Sequence, residues 1–141
     1  MYMEFRQFIK LYLDEKIKIA QNLETDNIDL LINKVLDCYR NDGTVFLAAN
    51  GGPVGAIDSF ATDLRTHPFV LEDKSISTDI RRLRVVNLCE STSLISGISN
   101  DVGYNKIFSE QLKNYLRSNK NRHDVFIAFS GSGKFTKHYR R

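Results

Sequence analysis

Cysteine and proline are scarce, long apolar runs are absent, and no charge of one sign dominates; each shortage removes a class of function. The two cysteines, Cys38 and Cys89, lie far apart in apolar segments, which suits reduced core thiols and argues against a metal cluster or a disulfide framework. No apolar stretch approaches the length of a membrane span, and Met1 to Arg6 lacks the basic-then-apolar order of a secretory signal. A cytoplasmic chain with no membrane partner is therefore expected. The net charge is +3, but four positive charges fall in the last eight residues, leaving −1 for residues 1–133. A basic footprint confined to a tail does not point to a nucleic-acid partner. What remains is 141 residues with 42% hydrophobic and 26% charged side chains, the composition of one ordinary globular domain.

Apolar residues at three- and four-residue steps (Phe5, Phe8, Ile9, Tyr12, Leu13, Ile17, Ala20) predict an amphipathic helix over residues 3–21. Asp26 or Asn27 suits the N-cap of a second helix, and Asn41-Asp42-Gly43 ends it, with the glycine expected to supply a left-handed stop. Thr44 to Ala49 is almost wholly apolar and reads as a strand covered on both faces. Asn50-Gly51-Gly52 follows, and Pro53 is placed to open a helix over Val54 to Leu64. A long loop is expected from Arg65 to Arg82. Leu83 to Leu88 reads as a second strand, Ser91 to Ser99 as a short helix, Tyr104 to Arg117 as a longer one, and Asp124 to Phe129 as a third strand. Strands alternating with helices predict an α/β fold with a parallel sheet.

Two of these strands end in small-residue loops, Asn50-Gly51-Gly52 and Ser130-Gly131-Ser132-Gly133. Open parallel sheets bind ligands outside the carboxyl ends of their strands. Glycines let backbone amides come close to a ligand, and hydroxyls add donors. The pair reads as a holder for a phosphorylated small molecule, although either loop alone is equally a tight strand-to-helix turn. Nucleotide patterns are missing: Gly133-Lys134 is followed by Phe135 rather than Ser or Thr, and no Gly-x-Gly-x-x-Gly follows the first strand.

Asn50-Gly51-Gly52, the helix with Phe60-Ala61 and Asp63-Leu64, Asn100-Asp101-Val102-Gly103-Tyr104 with Phe108, and Ser130-Gly131-Ser132-Gly133 occur in one order and spacing. Over residues 5–133 the chain resembles the SIS-domain phosphoheptose isomerases. The resemblance implies a three-layer, Rossmann-like α/β fold with a five-stranded parallel sheet between helices, assembled as a homotetramer. It also implies isomerisation of sedoheptulose 7-phosphate to a heptose 7-phosphate for surface-polysaccharide precursors. On that pattern Asn50, Gly51 and Gly52 form the substrate loop, and Ser130 and Ser132 bind phosphate or sugar hydroxyls. Glu90 or Ser91, at the end of the second strand, faces the pocket. Non-catalytic SIS domains, which bind phosphosugars or a replication initiator protein, are the alternative.

The sequence departs from the family at three places. In the best-known members a His and a Glu four residues later join a Gln and a second His around zinc; here these two positions hold Ser59 and Asp63. Asp63 is left as the candidate base. His67, His123 and His138 have no metal-ligand spacing, so no metal or cofactor is expected in this chain. Pro53 stands where the family usually has a substrate-contacting serine. Finally, Lys134 to Arg141 lacks the apolar period of the helix the family places there. With permitted codons, removing one adenine after the Gly133 codon turns this tail into Gly-Asn-Ser-Gln-Asn-Ile-Ile-Glu, close to the family's continuation. The expectation is a single SIS domain over residues 1–133, incomplete at its C-terminus and without activity, followed by a frameshifted tail over 134–141.

Overall fold

The computed structural model describes residues 4–70, 72, 78–116 and 123–133. The tail at 134–141, the middle of the Arg65–Arg82 loop and the end of the helix expected to reach Arg117 lie outside them. The chain divides into two units, residues 1–33 and 34–141.

In the first unit, α1 (Phe5–Gln21) follows the predicted period, and α2 (Thr25–Arg40) begins there and continues into the second unit. The periodicity suggests a buried face, yet no residue of α1 is buried. Phe8 stacks on Tyr12 with ring centroids 6.4 Å apart, and both remain more than half exposed.

The second unit is built on three parallel strands in the order β2–β1–β3, namely β1 (Thr44–Ala49), β2 (Arg84–Asn87) and β3 (Val125–Phe129). Among the described residues of this unit, the sheet is accompanied by the end of α2 and by α3 (Pro53–Thr66), α4 (Thr92–Asp101) and α5 (Ile107–Lys113). The central strand β1 is buried from Val45 to Ala49, as its continuous apolar sequence requires. Val45, Leu47 and Ala49 face one side, where Ile57 and Ala61 of α3 and Cys38 of α2 close the core. Phe46 and Ala48 face the other, against Leu88 and the α5 residues Phe108 and Leu112. β3 is less covered, and Phe126 is 51% exposed.

Polar groups inside this core are tied down. The Asn87 side chain donates to Asp58 Oδ1 at 2.7 Å and accepts the Cys89 N–H at 2.9 Å. Gln111, also buried, donates to Leu88 O and Ile107 O. Cys89 Sγ sits between the N–H and C=O of Ala49, each at 3.3 Å. Burial pushes the Cys38 and Cys89 thiols up from their ordinary range, which keeps them protonated and inert at neutral pH.

The stop of α2 differs from the expected one. Asp42, not Gly43, is left-handed, with φ 57°. Gly43 N–H reaches Cys38 O at 2.8 Å and Asp42 N–H reaches Tyr39 O at 3.3 Å, the two bonds of a Schellman stop. Aspartate tolerates this conformation, and here its carboxylate also meets Arg81 and Arg84. Gly43 is needed for a different reason: a β-carbon there would lie 2.5 Å from His123 O. Two other boundaries move as well. Tyr104–Lys106 forms a 3-10 turn ahead of α5, and Ser91 stays outside α4 as its cap.

Candidate functional site

The chain runs from β1 outward to β2, then back across the sheet to β3, so connections leave β1 in opposite directions. A crevice opens at the carboxyl end of a strand where this reversal occurs. The loop after β1 and the loop after β3 form its two lips. A β-carbon built on Gly131 would sit 3.6 Å from Pro53 Cγ, so the lips touch. Beneath them, Phe60 and Phe129 pack with ring centroids 5.5 Å apart.

An open cleft of about 870 Å³ lies here, with Asn50, Ser109, Ser130 and Ser132 as its polar residues. Its walls are apolar, chiefly Phe108, Leu112, Phe126 and Phe129. A mostly apolar hollow with a few convergent polar groups is the usual form of a small-molecule site. Among the described residues, none in its lining carries a charge or an ionisable carboxylate, amine or imidazole. An anionic ligand would therefore be met by neutral donors. Ser130 Oγ accepts the Gly133 N–H at 3.1 Å, which folds the second loop back on itself.

Of the residues singled out in the sequence, Asn50, Ser130 and Ser132 come together in the cleft. Gly51, with φ 64°, and Gly52 turn the chain into α3 without lining the cleft. Glu90 is held elsewhere: it forms an ion pair with Arg65, whose Nη2 also donates to Val85 O at 3.1 Å. Ser91 caps α4 by accepting the Leu94 N–H at 3.2 Å. Asp63 lies on α3 outside the cleft lining and pairs with His67 Nδ1 at 3.3 Å, both side chains being more than half exposed. The apolar walls were missed in the sequence, although Phe108 belongs to the motif that carries the family likeness. Only the packing of α5 on the sheet makes it a wall.

The donors present offer little to a zinc ion. Ser59 and Asp63 share one face of α3, but serine is a poor ligand and the Asp63 carboxylate is turned to His67. Among the described residues no three His, Cys, Asp or Glu side chains gather in a metal-binding group. Nor is any described helix long and apolar enough to cross a membrane.

No protein-family model matches the chain. Among curated proteins it is similar to the phosphoheptose isomerase of Helicobacter pylori strain P12, with 28% identity over 126 residues, 88% of this chain and 59% of that protein. It is 27% identical over 131 residues to the phosphoheptose isomerase of Aneurinibacillus thermoaerophilus, covering 89% of this chain and 60% of the relative. Its fold matches phosphoheptose isomerase structures from Neisseria gonorrhoeae (TM-score 0.61, 23% identity, 89% of this chain and 60% of that one) and Francisella tularensis (TM-score 0.67, 20% identity, 89% and 61%). The chain spans about three-fifths of the length of these relatives. With the motifs in order, a parallel sheet whose loops meet at the switch point, and this likeness to curated relatives, the chain has the fold of the phosphoheptose isomerases and is similar in sequence to them over about three-fifths of their length.

Proposed function

We propose that this chain is a sugar-phosphate-binding SIS domain of phosphoheptose isomerase type that holds its ligand in the switch-point cleft without turning it over. The observation that carries the reading is the meeting of Asn50, Ser130 and Ser132 in a cleft that has no acid or base among the described residues of its lining. Aldose–ketose isomerisation moves a proton between neighbouring carbons and needs a base beside them. In this proposal the isomerisation of sedoheptulose 7-phosphate, toward surface-polysaccharide precursors, belongs to the full-length form. Asp63 is the candidate base of that form, and this chain works without a bound metal. Two free, buried thiols support a reducing, cytoplasmic setting.

The test is a thermal melt with sedoheptulose 7-phosphate, accompanied by product analysis. Ligand at a hundred times its Kd adds about 2.7 kcal/mol of stability, a rise of several degrees. Sedoheptulose and inorganic phosphate alone should give less. No stabilisation by the sugar phosphate sinks the binding reading, and appearance of a heptose 7-phosphate sinks the non-catalytic one.

Self-association as a tetramer, the assembly that the family resemblance implies, completes the proposal. Phe8, Ile9, Tyr12, Leu13 and Ile17 of α1 are each 53–56% exposed, an apolar face too continuous to be left to water. Sedimentation should give a multiple of the 16.2 kDa chain mass, and Tyr12→Glu with Ile17→Glu should reduce it to one. A wild-type monomer at every concentration would count against it.

A further inference from the structure

Asn50 is the polar residue of the first lip, and its carboxamide can present either an acceptor oxygen or two N–H donors. Which one a ligand meets depends on what holds the other. Tyr104 Oη donates to Asn50 Oδ1 at 3.1 Å across 54 residues of sequence. Tyr104 is not among the residues lining the cleft, so its effect on a ligand passes through Asn50. Gly103 aims it. At the end of α4 the N–H groups of Val102 and Gly103 both reach Ile98 O at 2.9 Å, and Gly103 then takes φ 122°, a conformation open in practice to glycine alone. The chain turns there and sends Tyr104 toward the β1 loop. With Oδ1 engaged, Asn50 Nδ2 has no partner among the described residues.

We propose that Tyr104 is a positioning residue that locks the Asn50 carboxamide with Nδ2 offered to the ligand, so that the first lip selects an acceptor oxygen. Sugar hydroxyl, carbonyl and phosphate oxygens all qualify. The inference rests on the sugar-phosphate reading above. It matters because the described lining of the cleft has no cation: an amide turned the other way would present its oxygen to an anion and oppose binding. The Asn-Gly-Gly and Asn-Asp-x-Gly-Tyr motifs, 50 residues apart, thereby act as one device.

Two measurements on the full 141-residue chain separate this from its parent reading. The first needs no ligand. The Asn50 side-chain amide resonances, assigned by their loss in Asn50→Ala, should move toward those of a freely rotating asparagine in Tyr104→Phe. An unchanged pair overturns the lock whether or not anything binds. The second is a calorimetric cycle with sedoheptulose 7-phosphate as probe. Tyr104→Phe should weaken Kd about fivefold, the worth of one ordinary hydrogen bond, with the melting temperature of the free protein unchanged. In the Asn50→Ala background the same substitution should do nothing more, because its route to the ligand is gone. Equal, independent losses, or no loss in Tyr104→Phe, overturn the positioning role. If the wild-type chain fails to bind, the sugar-phosphate reading falls and the amide resonances alone decide whether Tyr104 holds Asn50.

Discussion

Gly43→Ala is expected to destabilise the protein by about 3 kcal/mol, lowering its melting temperature by roughly 10 °C. The added β-carbon would stand 2.5 Å from His123 O, 2.8 Å from His123 C and 3.0 Å from Cys38 Sγ. Two of these obstacles are backbone, so no rotamer change relieves them. Relief requires moving the entry of β3 away from β1, and there Thr44 N–H donates to Asp124 Oδ1 at 2.9 Å while His123 meets Asp37 at 2.8 Å. Loss of unfolded-state freedom on going from glycine to alanine returns only about 0.4–1 kcal/mol, too little to change the sign. Gly55→Ala is the matched control, since a β-carbon on that α3 residue meets nothing within 4 Å. It should be neutral or stabilising by up to about 1 kcal/mol. Urea melts of the two variants decide the matter; equal stabilities would remove the steric account of the β1–β3 approach.

Leu47→Ala should cost about 2–5 kcal/mol, since Leu47 is fully buried at the middle of β1 with β2 and β3 on either side. Fixed neighbours on both flanks keep the resulting cavity from collapsing. Phe126→Ala, one strand away, should cost about 1 kcal/mol or less despite the larger side chain, because Phe126 is already 51% exposed in the cleft wall. The informative quantity is the difference. Should Phe126→Ala prove as damaging as Leu47→Ala, that face of β3 is covered in solution and the cleft is narrower than described.

Where a short run of residues decides the structure, the sequence is readable. The apolar run of β1, Pro53 at the first turn of α3, and the small-residue loops after β1 and β3 all follow from local rules, and they carry Asn50, Ser130 and Ser132 to the same crevice. Features settled by distant partners are not readable in this way. Asp42 takes the left-handed position because Arg81 and Arg84 wait beside it and His123 crowds its neighbour. Glu90 follows a strand and looks ligand-facing, but Arg65, 25 residues earlier, claims its carboxylate. The period of α1 foretells a helix with an apolar face and says nothing of what that face meets. Ser91 was legible as a hydroxyl at a strand end; its use as a cap depends on where α4 begins.

The pairing of β1 with β3 also governs the order of events as the chain folds. Thr44 and Asp124 are 80 residues apart, so the central strand must wait for a long loop to close before its second edge is satisfied. Until β3 docks, β1 keeps one edge of backbone N–H and C=O groups unpaired from Val45 to Ala49, the kind of edge that neighbouring chains mistake for their own. The yield of folded protein should thus be limited by how quickly β3 returns to the strand it left far behind.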